Sequence, residues 1–272
     1  MQYVQRHSMT TMTEQHVHTR LKHTCGFLAD YATAMLSAGA TNSRIDRCVR
    51  RIAGGCGVDV DLSILPTRVL LAVWDKEHSH SYCQVGKTQT GGVNLNTVSR
   101  LSRLSHAVAG SDGMSVDEAR QAMDRILCQP RIGKWVVIVL TSVANLSFCE
   151  LFGGDWLAMS VVFAATFAGY SLKEALLSWH WDTRIVTIVS STVSAILGAS
   201  CLLFGIGSTP EVALATSVLW LVPGIRFINA MSDLLKGHHL CAASRLTDAL
   251  VTTICLSLGL CIALLLVNIE WK

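Results

Sequence analysis

Residues 249–269 read A-L-V-T-T-I-C-L-S-L-G-L-C-I-A-L-L-L-V-N-I, with no Asp, Glu, Lys or Arg anywhere in the run. A helix needs about 20 residues to cross roughly 30 Å of hydrocarbon, so this stretch spans a bilayer outright. Four more charge-free stretches precede it: Trp135–Cys149, Trp156–Leu172, Ile185–Pro210 and Val212–Ile225. Ile185–Pro210 is also long enough. The other three are short, and each is completed by a terminal turn whose charge reaches the headgroups, as Lys134 and Glu150 do for the first. Taken singly, a short apolar run is just as well a buried soluble helix. Five in succession, with no strongly polar stretch long enough to form a second soluble domain, argue for spans at 134–152, 156–172, 185–205, 211–230 and 248–269.

Composition agrees. Of 272 residues 51% are apolar and only 15% charged, where a soluble domain has about a quarter. The deficit is local. Residues 1–134 hold 16 Lys and Arg against 11 Asp and Glu, a net of +5, whereas residues 135–272 hold 6 against 8, a net of −2. This excludes a single soluble globule, and the overall +3 gives no reason to expect a nucleic-acid partner. Four prolines and ordinary glycine exclude a disordered or fibrous chain.

Orientation follows from the loops. With the basic first half cytoplasmic, five crossings place Lys173, Arg184, Arg226, Lys236 and Arg245 inside, and Asp155, Glu211 and the tail Glu270–Lys272 outside. The C-terminus is then expected to be periplasmic, in a bacterial inner membrane. Met1–His7 is polar and precedes no apolar core of a signal peptide. None of the ten cysteines is spaced C-x-x-C, and Cys149, Cys201, Cys255 and Cys261 lie in apolar runs, where they read as small hydrophobes.

Ahead of the spans, residues 16–131 predict a small α+β domain, with 1–15 an extension given no role. Val17, Leu21, Cys25, Leu28, Ala32 and Met35 recur at steps of three and four within a helix over 14–38 that Gly39 ends. A second helix runs from Asn42 or Ser43 to Ala53, closed by Gly54, Gly55 and Gly57. Val58–Leu65 and Thr67–Trp74 alternate as strands around Pro66, and Ser81–Val85 reads as a third. Helical spacing returns from Asn94 and again over Ser115–Cys128, led by Asp117 and Glu118. The fold class expected is thus a polytopic α-helical membrane protein of about five spans, preceded by a small cytoplasmic α+β domain.

Catalytic and metal signatures are lacking. The sequence contains no G-x-x-x-x-G-K-[ST], no G-x-G-x-x-G after a strand, no H-E-x-x-H and no G-x-S-x-G, so neither an enzyme nor a cofactor is expected. His16 with His18, His78 with His80, and His238 with His239 have no cysteine or carboxylate set at ligand spacing, so no metal is expected either. The arginines at 44, 47, 50 and 51 read as a solvated helix face, or as contacts to an anionic substrate or lipid headgroups.

The chemistry is concentrated in Leu221–His238, L-V-P-G-I-R-F-I-N-A-M-S-D-L-L-K-G-H. Pro223 removes a backbone donor and Gly224 relaxes the chain beside it, so an apolar helix is interrupted there. Asn229 and Asp233, four apart, share a helix face beyond the break. They predict a polar lining for a substrate or proton path. The alternative is a plain kink with Asp233 at the headgroups, paired with Arg226 or Lys236.

The string P-G-x-x-x-x-N-A-x-x-D-x-x-x-G-H, Pro223 to His238, resembles the threonine/serine exporter family, and in particular the larger subunit of its two-protein, succinate-exporting form. Gly39-Ala40 followed by Arg44, the strand pair around Pro66-Thr67, Pro130-Arg131, Gly153-Gly154-Asp155-Trp156, and Arg245 after Gly237-His238 also match, from about His16 to the C-terminus. Arg226 departs from the pattern, which is usually apolar or proline there.

The resemblance implies an exporter subunit for a small carboxylate, succinate or a similar C4-dicarboxylate. It would work by secondary transport with a smaller membrane subunit of the same family that supplies the remaining helices. Threonine or serine is the alternative cargo. Asp233 would carry the proton, Asn229 orient the substrate, the Pro223-Gly224 break and Gly237-His238 shape the path, and Arg44, Arg226 and Arg245 offer cations to a carboxylate. The rival readings are a membrane-anchored enzyme and a regulatory subunit.

Overall fold

The computed structural model describes residues 2–88, 92–110, 114–130 and 132–267, with side chains from Val17 onward. The chain divides into two compact units. One is Met1–Pro130 together with Ile228–Arg245; the other is Arg131–Phe227 together with Leu246–Lys272. Composition placed everything after residue 131 in the membrane part, whereas Ile228–Arg245 packs with the first 130 residues. The reason is polar: this segment carries Asn229, Asp233 and Arg245, and their partners lie in the first unit.

The first unit opens with α1 (Gln2–Ser37) and α2 (Asn42–Cys56), continues through strands β1 (Asp59–Ile64), β2 (Arg68–Trp74) and β3 (Ser81–Lys87), and adds α3 (Leu95–Ala109) and α4 (Val116–Leu127). The strands form an antiparallel meander in the order β1-β2-β3. Its core is built from the expected periodicities. Leu21, Cys25, Leu28, Ala32 and Met35 of α1, Ile45, Val49 and Ile52 of α2, Val69, Leu71 and Val73 of β2, and Val98, Leu101 and Val108 of α3 are all buried. Each large side chain so covered stabilises the fold by about 1.5–3 kcal/mol. The Tyr31 hydroxyl donates to the Leu101 carbonyl at 2.8 Å, so the core's one large polar tip is satisfied.

Two local expectations are corrected. Thr41, not Asn42 or Ser43, is the N-cap of α2, and the helix runs on through Gly54 and Gly55 to end at Gly57, whose φ is +70°. Gly55 is small for a packing reason: a Cβ there would lie 2.7 Å from the Val108 carbonyl oxygen of α3. Helix α1, expected over 14–38, begins at Gln2 and so takes in residues of the N-terminal extension.

The second unit contains α5 (Lys134–Leu151), α6 (Trp156–Ser178) and α7 (Thr183–Phe204), and most of α10 (His239–Val267); these four helices are long and apolar enough to cross a membrane. The expected span 211–230 is not one helix. It is α8 (Pro210–Ser217), a 3₁₀ turn at Leu219–Leu221, and α9 (Gly224–Leu235), bent by 61° at the break, so among the described residues four helices are long and apolar enough to span, or five segments if the bent pair counts as one. Pro223 has no N–H to extend the first helix, and its carbonyl instead accepts from Arg226 and Phe227 to start the second.

The expected span 156–172 also runs on, through Lys173 and Glu174 to Ser178. Glu174 pairs there with Lys134 at 3.3 Å, and the exposed Trp135, Trp179 and Trp181 cluster at the same ends of α5 and α6, as expected at an interface. At the opposite ends Asp155 caps α6 through the Ala158 N–H and also accepts the Ser208 N–H, joining the α5–α6 turn to the α7–α8 turn. Arg131, the span residues 268–269 and the tail Glu270–Lys272 lie outside the described residues, as does the side chain of His16.

Candidate functional site

Asn229 and Asp233 do share a face of α9, and both reach one corner of the first unit, the α1–α2 turn. Helix α1 ends in a Schellman turn: Gly39, at φ +85°, donates to Leu36, and Ala40 to Met35. This leaves the Gly39 and Ala40 carbonyls pointing outward. Asn229 Nδ2 donates to the first at 2.8 Å and Arg245 Nη2 to the second at 2.8 Å. The Thr41 side chain does not cap α2. Asp233 takes over, with Oδ1 accepting the Asn42 N–H at 3.0 Å, so a carboxylate from a distant helix sits on the positive end of α2.

Asp233 is fully buried, and its Oδ2 lies 2.7 Å from Arg245 Nη1. The partner is therefore Arg245, and neither of the cations weighed from sequence. Lys236 Nζ donates to Ser43 Oγ at 3.0 Å, and Arg226 Nη1 to Thr252 Oγ1 at 3.1 Å. One carboxylate, one guanidinium and one amide thus hold a single backbone corner. An ion pair this close on a fully buried carboxylate is costly to break from either side.

Gly237 and His238 serve this arrangement. Gly237 donates to Leu234, and His238 to Asp233, closing α9 with a second Schellman turn in which Gly237 has φ +81°. His238 then accepts from Ala242 to start α10, which carries Arg245. The turn sets Asp233 and Arg245 within reach of each other. Arg44 is exposed on α2.

The remaining sequence candidates, Pro223, Gly224 and Arg226, belong to the second unit. Gly224 has no positive φ, and a Cβ on it would meet nothing within 4 Å, so it does not relax the backbone there as expected. Among the described residues no three His, Cys, Asp or Glu side chains converge as a metal site would require. His78 pairs with Asp59 at 3.3 Å and His80 with Asp75 at 3.4 Å.

Sequence reasoning missed the polar interior of the second unit. Asn145, buried within the first apolar run, donates from Nδ2 to Thr166 Oγ1 at 2.6 Å and to the Thr216 carbonyl at 3.0 Å, while its Oδ1 has no partner. Its signal was an amide amid apolar residues, which is expensive in a span unless used. Lys173 is the other: its Nζ lies 5.4 Å from the ring centres of both Tyr170 and Trp220.

Residues 26–267 match the family model described as "Putative threonine/serine exporter". The chain belongs to the threonine/serine exporter family. It is 25% identical to the protein named probable succinate transporter subunit YjjP of Escherichia coli, over 92% of this chain and 95% of that protein. To the probable threonine/serine exporter of Mycobacterium tuberculosis it is 24% identical over 86% of this chain but only 44% of that protein. The threonine/serine exporter of Corynebacterium glutamicum is 22% identical over 87% of this chain and 50% of its own length. No solved structure matches. As a member of this exporter family the chain is a membrane transport protein, and its apolar helices are transmembrane segments.

Proposed function

We propose that the chain is the larger subunit of a two-protein exporter of a C4-dicarboxylate such as succinate. It sits in a bacterial inner membrane with its α+β unit cytoplasmic and its C-terminus outside. One observation carries this reading. The chain matches proteins named as probable succinate transporter subunits over 95% of their length, and those named as threonine/serine exporters or probable ones over only 44% and 50% of theirs. Half an exporter needs the other half, which a smaller membrane subunit supplies.

In this reading transport is secondary and proton-coupled, and Asp233 takes up the proton. Protonation removes the charge that holds Arg245 and weakens the bond to the Asn42 N–H. Proton binding and release of the α1–α2 corner are then one event, and the guanidinium freed is geometrically suited to a carboxylate. Threonine or serine is the second reading, favoured by the family model's description and the two half-matching relatives.

Efflux of labelled succinate and labelled threonine from cells carrying this chain, the smaller subunit, or both tests the proposal. Succinate efflux from the pair alone is expected. Full activity from this chain by itself overturns the two-protein reading, activity from the smaller subunit alone makes this chain regulatory, and threonine efflux in place of succinate selects the second cargo.

A further inference from the structure

Hydroxyl groups in membrane helices normally bond back to a carbonyl one turn earlier. In the second unit Ser142, Ser171, Thr187 and Thr192 do so, to Ile138, Phe167, Thr183 and Ile188. Ser190 does not. Its Oγ is fully buried and has no partner. One turn along α7, Ser194 donates across to the Ala165 carbonyl of α6 and accepts from Trp220 Nε1 at 3.4 Å. Gly169 of α6 faces this group directly: a Cβ on it would collide with Ser194 Oγ and come 3.1 Å from the Trp220 ring and 3.4 Å from the Ser190 carbonyl. The Ser194 and Trp220 side chains and the Ser190 backbone carbonyl therefore surround Gly169 in the helix packing.

The next turn of α6 adds charge. Lys173 is four residues from Gly169, half-buried, with its ammonium over both Tyr170 and Trp220. The neighbouring acid, Glu174, is engaged by Lys134 at 3.3 Å, and no carboxylate among the described residues lies within 4 Å of Lys173. Glu174, the next residue along α6, and more weakly Arg226, in the first turn of α9, act on Lys173 with opposite signs. The 3₁₀ turn carrying Trp220 leads through Pro223 into the N-terminus of α9, a broken helix whose positive end favours an anion. Two cations and a helix N-terminus, with their neighbouring acid paired to Lys134, thus share one packing region with a buried serine hydroxyl that makes no hydrogen bond.

We infer that the second unit contains a carboxylate-binding site in which Lys173, its amine resting against the packed Tyr170 and Trp220 rings, pairs with the carboxylate, Ser190 donates a hydrogen bond to it, and Arg226 supplies the long-range attraction. This deepens the exporter reading, on which it rests, by locating the cargo's carboxylate on Lys173. The aromatic pair orders the amine, so little side-chain entropy remains to be lost on binding.

Efflux kinetics in cells carrying both subunits, with labelled succinate and labelled threonine, test the site. Lys173→Met is expected to raise KM for the exported solute roughly tenfold or more, the loss of a charge-assisted hydrogen bond, at an unchanged amount of protein in the membrane; Lys173→Arg is expected to keep most of the affinity. Ser190→Ala is expected to raise KM severalfold, and it decides the matter if Lys173→Met fails to accumulate. Wild-type KM in Lys173→Met, or in Ser190→Ala where that variant decides, overturns the site.

A second readout separates this inference from the transport reading. Titration of the purified full chain with succinate and with threonine is expected to give a saturable change in tryptophan fluorescence that is lost in Trp220→Phe and Lys173→Met. If the wild-type pair exports neither solute, the cargo reading falls; the site then stands if this saturable response is present and falls if it is absent.

Discussion

Asp233 shows how one residue type can satisfy two opposite readings of sequence. An acid beyond a broken apolar helix can be a carrier open to a pathway, half of an ion pair, or a pair that opens when the acid is protonated, and spacing alone does not distinguish them. In the structure it is an ion pair with a cation twelve residues along the chain, and the same carboxylate caps α2. The pair can be measured directly. Asp233→Asn and Arg245→Gln are each expected to destabilise the purified protein by about 3 kcal/mol, because each strands the other's charge. The double variant should cost clearly less than the sum, and additive melting shifts would show that the two side chains do not interact. In cells, Asp233→Asn is expected to abolish export while the protein remains in the membrane, and wild-type efflux would remove Asp233 from the coupling step.

At the scale of elements, glycine and proline carry the sequence signal, but neighbouring positions use it differently. Gly237 occupies a left-handed turn that an L side chain adopts only with strain, whereas Gly224 begins α9 in ordinary backbone with open space beside it. Gly237→Ala should lower stability by about 1 kcal/mol and Gly224→Ala should leave it unchanged or raised, as followed by thermal unfolding. The β2–β3 turn offers a pH test. The Ser79 hydroxyl, and after it the Ser79 and His80 amides, bond the Asp75 carboxylate and hold its pKa down, from 3.8 to about 2. A depressed folded pKa means that the stabilisation is present above about pH 4 and is lost as pH falls towards 2. Protection of the Ser79 amide against hydrogen exchange should fall over that window in the wild type and be low throughout in Asp75→Ala.

For the whole molecule, the division into two units cuts across the polarity of the sequence. The apolar core of the first unit is made entirely from residues before Pro130, yet its α1–α2 corner is held by Asn229, Asp233 and Arg245. A fragment of residues 1–130 is therefore expected to form its sheet and helices but to leave the corner loose. The Asn42 amide, bonded to Asp233 in the full chain, should exchange at least tenfold faster in the fragment, while amides in β2 keep their protection. Equal protection of Asn42 in both would show that the corner needs no support from the later segment.

What the amino-acid order determined by itself was periodicity and charge depletion: the helical stripes of α1 to α4, the alternating strands, and runs of residues too apolar for water. These are local properties, set by 3.6- and 2-residue repeats and by the cost of moving charge into hydrocarbon, so they can be read in one dimension. Tertiary structure alone decided that the apolar run after Glu211, expected from sequence to break at Pro223, turns there by 61°, that Asp233 belongs to Arg245, and that Lys173 rests on two aromatic rings. Each of those depends on how separate helices meet. A polar group's role is fixed by its partner, and the partner is chosen by packing.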